Sequence, residues 1–129
     1  MSDVAIKRIE EFDSPNDGGF CRARASLGVT SFGMQVENFP PHFEHFPEHD
    51  HTADGQEEVY TALSGSATLH AGGETYQLEP GVFARVGPET TRKITTADEP
   101  VQLLAIGGIP GAPYSPPPFT EKGGQFPPG

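Results

Sequence analysis

Apolar and polar residues alternate with a period of two along most of this chain, in short runs separated by glycine and proline. Residues 30–39 set Phe32, Met34 and Val36 against Gly33, Gln35 and Glu37, which predicts a half-buried strand with the first set facing inward. Pro40 and Pro41 end it, because neither can donate to a sheet ladder. Residues 58–63 read as a strand from Val59, Tyr60 and Thr61, and Ser64-Gly65 closes it as a tight turn. Residues 67–71 and 74–78 flank Gly72-Gly73, a two-residue hairpin signal. Residues 82–86, 90–96 and 101–106 complete a series of short strands with turns at near-regular intervals. That cadence predicts an all-β sandwich or barrel. Upstream, Val4, Ile6 and Ile9 mark a short N-terminal strand, residues 14–19 a loop, and residues 20–27 fit either a strand or a short helical turn. No helical stripe of any length and no internal repeat competes with this reading.

Composition narrows the picture. The 129 residues are one domain by size, and 16 glycines with 14 prolines dilute the apolar fraction to 34%, which suits short strands and turns. A net charge of −10 argues against nucleic acid and anionic membrane surfaces as partners. The scattered charges of the opening stretch give neither a leader pattern nor a membrane span, so a soluble, cytoplasmic protein is expected. Cys21 is the only cysteine, which rules out an internal disulfide and agrees with a reducing compartment. From Ile109 onward the chain is rich in proline and glycine, and neither sheet nor helix is expected there. Such a tail is either frayed or an extended arm anchored by Tyr114, Phe119 and Phe126, crossing to a partner or helping to close the barrel mouth.

The candidate chemistry lies in residues 48–65. His49 and His51 are two apart, so on an extended strand both imidazoles project from one face as a chelating pair. Residues 52–55 form a turn that reverses at Asp54-Gly55, and Glu58 opens the next strand, where it can fold back beside the two rings. Two imidazoles and a carboxylate can hold a divalent transition metal (iron, manganese, nickel, copper or zinc) and leave coordination positions open for a substrate. The competing explanation is a solvated, acidic His-containing stretch. Gln56 and Glu57 also offer donors, so Glu57 could stand in the place of Glu58. Tyr60, two along from Glu58, points into the same cavity as a candidate proton donor or hydrogen-bond partner for a small-molecule substrate, or as packing.

This run resembles the first motif of the cupin superfamily, in which a glycine precedes His-x-His, a glutamate follows, and a glycine closes after six more residues. Here Glu58 is followed by residues 59–64 and then Gly65; Phe43 stands in place of the leading glycine, and the gap from His51 to Glu58 is longer than usual. The second motif corresponds to residues 80–93, with Gly81 at its start and Gly87-Pro88 as its turn. Where a fourth ligand histidine would stand, the alignment places Arg92, which has no lone pair to give a metal. Four readings of Arg92 follow: a three-ligand metal site beside it, a metal-free barrel in which it pairs with Glu58, a clamp for a substrate carboxylate or enolate, or an exposed basic pair with Lys93. The resemblance covers residues 31–106. It implies a single cupin-type jelly-roll barrel over residues 1–108 with a Pro/Gly-rich tail over 109–129, and a homodimer. Superfamily members include dioxygenases, isomerases, decarboxylases and nonenzymatic binders, so a metal-dependent enzyme and a metal-free small-molecule sensor both stay open.

Two other patterns fall away. The string from His45 to His49 fits a zinc-protease motif, but Pro47 and Pro40-Pro41 break the helix it needs. Residues 28–33 lack the lysine and following helix of a phosphate loop. His42 and His45 are expected at the rim, and His70 on the surface of the hairpin.

Overall fold

A computed structural model describes residues 3–125. Among them, eight strands form two antiparallel sheets that face each other as a jelly-roll barrel. The strands are β1 (Phe20–Cys21), β2 (Gly33–Phe39), β3 (Glu57–Ser64), β4 (Ala67–Ala71), β5 (Glu74–Leu78), β6 (Phe83–Val86), β7 (Arg92–Thr96) and β8 (Val101–Gly108). The larger sheet runs β1-β2-β8-β3-β6 and the smaller β5-β4-β7. The all-β expectation holds. The Gly72-Gly73 hairpin is present, both glycines at positive φ as a primed two-residue turn demands. No helix among the described residues is long and apolar enough to cross a membrane.

Alternation fills the space between the sheets. The larger sheet contributes Phe39, Tyr60, Ala62, Val86, Val101, Leu103 and Ala105 to the core, and the smaller Ala67, Leu69, Ala71, Leu78 and Ile94. Small residues stand opposite large polar ones: Ala105 pairs with Tyr60 and Ala71 with Arg92, which leaves room for both long side chains inside the wall.

Three expectations need correction. Residues 4–8 form no strand; Val4 and Ile6 are exposed, so their alternation buries no face, and Ile9–Glu11 is a turn of 3₁₀ helix. Residues 20–27 are both things at once, β1 followed by a short helix α1 (Ala23–Leu27) that Gly28 ends in the left-handed conformation. On β2 the faces are reversed. Gln35, Glu37 and Phe39 pair with Ala105, Leu103 and Val101 and so face the barrel interior. Met34 and Val36 point outward, under a second apolar cluster with Cys21, Ala23, Ile9, Phe12 and Leu104, while Phe32 is exposed. This strand is covered on both sides, so its apolar set does not mark the barrel face.

The tail is an arm laid on its own chain rather than a frayed end, and it contains one 3₁₀ turn, Pro118–Thr120. Buried Arg22 donates from Nε to the Phe119 carbonyl at 2.9 Å and from Nη2 to the Gly124 carbonyl at 2.9 Å, and it pairs with Asp13 at 2.8 Å. Arg24 pairs with Glu121 at 3.2 Å, and Phe119 packs on Phe20 with ring centroids 5.7 Å apart. Phe126, the third expected anchor, lies outside the described residues.

Gly65 closes β3 at φ 77°, where a Cβ would press on the Pro100 carbonyl and come within 3.1 Å of Val101 Cα. Gly73 has a similar φ of 82° but open space around it. Gly65→Ala is therefore expected to cost about 3 kcal/mol and Gly73→Ala about 1 kcal/mol in urea denaturation, the difference being the steric contact alone. Equal losses would show that backbone conformation, not crowding, selects glycine at position 65.

Candidate metal centre

The sheet register places Glu58. Its neighbours on the inner face are Val86 on β6 and Gly107 on β8, so its side chain enters the barrel between them. Glu57 takes the outer face and pairs with Arg85 at 2.7 Å, which separates the two adjacent carboxylates by function. His49 and His51 do not lie on a continuous strand. A single bridge pairs His49 with Arg92, and the turn after His51 is held by the Gly55 N–H donating to the His51 carbonyl at 2.7 Å. Both rings nevertheless face Glu58. One ligand atom from each of His49, His51 and Glu58 lies within 4.8 Å of the others. His49 Nε2 is 3.8 Å and His51 Nε2 3.2 Å from Glu58 Oε1.

The hydrogen bonds around the rings set their tautomers. His49 Nδ1–H donates to the Pro47 carbonyl at 2.8 Å, and His51 Nδ1–H donates to Asp54 Oδ1 at 2.9 Å. With Nδ1 so engaged, each ring turns Nε2 toward Glu58, where it donates to the carboxylate when protonated and offers a lone pair to a metal when neutral. Asp54 is fixed in turn by Gln56, whose Nε2 donates to Asp54 Oδ2 at 2.8 Å. Orienting a ligand imidazole through a carboxylate is the usual outer support of a metal site. Sequence reasoning took Asp54 only as a turn residue; its spacing of three from His51 is the signal that pointed to more. Phe46 stacks on His49 at 5.7 Å and fixes the ring from the apolar side.

Two side chains complete the cluster. Tyr60 is buried, and its hydroxyl donates to Glu58 Oε1 at 2.5 Å, so its proton is committed to steering that carboxylate. Burial and the Glu58 charge push the Tyr60 phenol well above its usual range, which keeps it a donor. Arg92 is 0% exposed, which removes the reading as a surface basic pair with Lys93. Its Nη2 donates to the Gly87 carbonyl at 2.9 Å and the Val86 carbonyl at 3.3 Å. Its Nε lies 3.9 Å from Glu58 Oε1, and neither Nε nor Nη1 has a hydrogen-bond partner. His51 Nε2 is likewise buried and faces Glu58 Oε1. His42 and His45 are exposed on the rim loop, and half-buried His70 bonds Thr95 Oγ1 at 2.9 Å, away from the cluster.

Charge inside the barrel is balanced unevenly. Burial alone would raise Glu58, but the groups offered by His49, His51 and Tyr60 outweigh it and hold the carboxyl well below the usual carboxylate range. Glu58 beside it raises His51, against the opposing effect of burial, with Asp54 adding to the rise. Glu37, assigned to the outer face by its sequence pattern, is the opposite case: burial, and then repulsion from Glu58, push its carboxyl up to about 8. Glu37 is half-buried on the inner face. With a folded value near 8 against the ordinary 4.5, the native state loses stability as pH rises between these values. In metal-free protein, Glu37→Gln is expected to match the parent near pH 4 and to gain on the order of 2 kcal/mol by pH 8.5, read by urea unfolding at both pH values. A constant difference across that window would mean that Glu37 is ionised throughout.

The Cupin domain family pattern matches residues 35–107. No curated protein matches the chain. Among solved structures, the fold is similar to a cupin protein from Bacteroides fragilis, at 24% identity and TM-score 0.70 over 91% of this chain and 93% of that one. It is also similar to a sugar phosphate isomerase of the cupin superfamily from Silicibacter pomeroyi, at 18% identity and TM-score 0.59 over 70% of this chain and 59% of that one. A DMSP lyase from Ruegeria pomeroyi aligns at 25% identity and TM-score 0.55 over 67% of this chain and 43% of that one. With a match that spans more than half of its 129 residues, across the strands that carry Glu58, Tyr60 and Arg92, the chain belongs to the cupin family.

Proposed function

We propose that the protein is a metal-dependent enzyme acting on a small oxygenated or carboxylated metabolite, with His49, His51 and Glu58 holding a divalent transition metal. The observation that carries this reading is the convergence of three donor atoms within 4.8 Å, with the buried His51 Nε2 only 3.2 Å from Glu58 Oε1. Imidazole and carboxylate ligands accept iron, manganese, nickel, copper or zinc, so the donor set fits a metal without selecting one. Such an ion supplies Lewis acidity and open positions for substrate oxygens. The chain's own residues supply the rest. Arg92, whose buried Nε and Nη1 have no hydrogen-bond partner, grips a substrate carboxylate or enolate. Tyr60 keeps Glu58 oriented, and Phe46 excludes water from one side of His49.

A second reading has its own support. Arg92 Nε stands 3.9 Å from Glu58 Oε1, and that pair can serve a metal-free, noncatalytic binder of a small anion. Metal analysis separates the two. Protein purified under metal-replete conditions is expected to hold one transition-metal ion per chain at pH 7.5, and His49→Ala/His51→Ala to hold less than a tenth of that. Affinity is expected to fall as pH is lowered through the raised His51 value, because a proton on Nε2 competes with the ion. Metal-free parent protein under these conditions would leave the anion binder standing.

We also propose a homodimer. Leu63 on the outer face of β3 and Phe83 on the outer face of β6 are 44% and 69% exposed, and β6 is a sheet edge that can be covered by a second copy. Phe83→Lys is expected to shift the mass measured by light scattering from two chains to one, with the circular dichroism spectrum unchanged. A monomeric parent protein would dismiss the dimer.

A further inference from the structure

Residues 4–8 stand off the body of the protein with their apolar side chains uncovered. Val4 is 69% and Ile6 88% exposed, and among the described residues the backbone groups of residues 4–7 take no hydrogen bond. The segment forms neither helix nor turn, and at its end Arg8 is extended at ψ 157°. Val4 and Ile6 are β-branched and two apart, so along a strand they share one face, with Ala5 and Lys7 on the other. The exit of the segment is fixed. The Arg8 N–H donates to Glu11 Oε1 at 2.9 Å and the Glu11 N–H to the Arg8 carbonyl at 3.0 Å, while Ile9 and Phe12 pack on the outer cluster of Cys21, Ala23 and Val36. A strand's worth of donors, acceptors and apolar surface is thus presented from a firm anchor and meets nothing in its own chain.

The larger sheet offers the complement. β6 is hydrogen-bonded to β3 alone, so its other edge is open, and Phe83 is 69% exposed because no strand stands beyond it. The edge of the smaller sheet at β5 suits the segment less well, since the face it shares with β4 there carries Thr75 and Gln77 beside His70 and Thr68. Charge agrees with a contact between copies. Residues 4–8 carry two of the chain's eight cationic side chains and no acid, against a net charge of −10, so the segment of one copy is attracted to the body of another. Its own β6 is out of reach. Ile9 packs over β1 and β2, and β2 lies three strand spacings, about 14 Å, from β6. Only Arg8, spanning at most about 3.5 Å, separates Ile9 from the residues that would pair.

We infer that residues 4–7 of one copy add to β6 of a second copy as a further strand of its larger sheet, with Val4 and Ile6 against Phe83, and that the second copy returns the same contact. This rests on the homodimer proposed above and names what holds it together. Each chain offers one strand and one edge, and a two-fold pair satisfies both.

Deletion of residues 3–8 removes nothing that the single chain's fold uses. Its circular dichroism spectrum is therefore expected to match the parent, while the dimer dissociation constant, measured by analytical ultracentrifugation, rises about tenfold or more. Ile6→Asp is expected to act in the same direction. A second measurement locates the contact. Chains carrying Val4→Cys or Ile6→Cys are mixed with chains carrying Phe83→Cys, oxidised, and analysed by mass spectrometry; Cys21 is buried, so bridges report the introduced thiols. At least one of these mixtures is expected to give disulfide-linked heterodimers, and the same chains mixed with Thr75→Cys on β5 to give none. A monomeric parent dismisses the homodimer and this strand with it. A parent dimer whose dissociation constant is unmoved by the deletion, or bridges to Thr75→Cys in preference to Phe83→Cys, overturns the strand exchange alone and leaves the homodimer standing.

Discussion

A carboxylate brought inside a β-barrel must be surrounded by groups that favour its charge, and the neutralisation of Glu58 is the constraint around which this interior is arranged. Removing an ion from water costs several kcal/mol, and only well-placed partners offset that. Glu58 has Tyr60 at hydrogen-bond distance, His51 and His49 beside it, and Arg92 across from it. Each partner is itself held from outside the cluster: His49 by Pro47, His51 by Asp54, and Arg92 by the carbonyls that end β6. The alanines and glycines on the facing strands follow from the same requirement. Ala71, Ala105 and Gly107 sit where a larger side chain would occupy the volume taken by Arg92, Tyr60 and the Gln56–Glu58 pair.

Charge bookkeeping explains why two interior glutamates behave so differently. Glu58 has cationic and donating neighbours and stays ionised; Glu37, two strands away, has no such partner and holds its proton up to about pH 8. The barrel therefore carries one interior carboxylate kept ionised by its neighbours and one kept neutral by its surroundings. A proton on His51 and a divalent ion are alternative ways to satisfy the same electron pairs on His51 Nε2 and Glu58.

Much of this was legible in the chain because the relevant signals are local. Period-two alternation, the Gly72-Gly73 reversal and the spacing of His49, His51, Glu58 and Gly65 depend on neighbours within a few residues, and they located the strands and the cluster. What stayed hidden depends on long-range contacts. On β2 either set of alternating residues could face the core, and the choice is made by β1 and α1 packing outside against Met34 and Val36. Arginine is rarely fully buried, so nothing at Arg92 distinguished an interior guanidinium from a surface one until Ala71 and the ends of β6 were placed around it. The path of the proline-rich arm is set by Arg22 and Arg24, about a hundred positions upstream, and no local pattern in residues 109–125 encodes it.

Similar folds at 18% to 25% identity carry an isomerase and a lyase, so chemistry on this barrel is decided by individual residues rather than by the wall. Arg92 is the residue with the largest leverage. A histidine there would add a neutral ligand, whereas a guanidinium adds a fixed positive charge beside the same carboxylate. At an effective dielectric of about 20, a guanidinium and a dication a few ångströms apart repel by several kcal/mol. On the proposed reading, Glu58 alone offsets that repulsion only in part, and an anion that reaches both Arg92 and the metal position offsets the remainder. Binding of the ion and of an acidic ligand then favour each other, because each reduces the charge imbalance that the other leaves. On that reading the barrel would hold a metal and an acidic ligand as a coupled pair, and the charge balance alone would disfavour a neutral ligand.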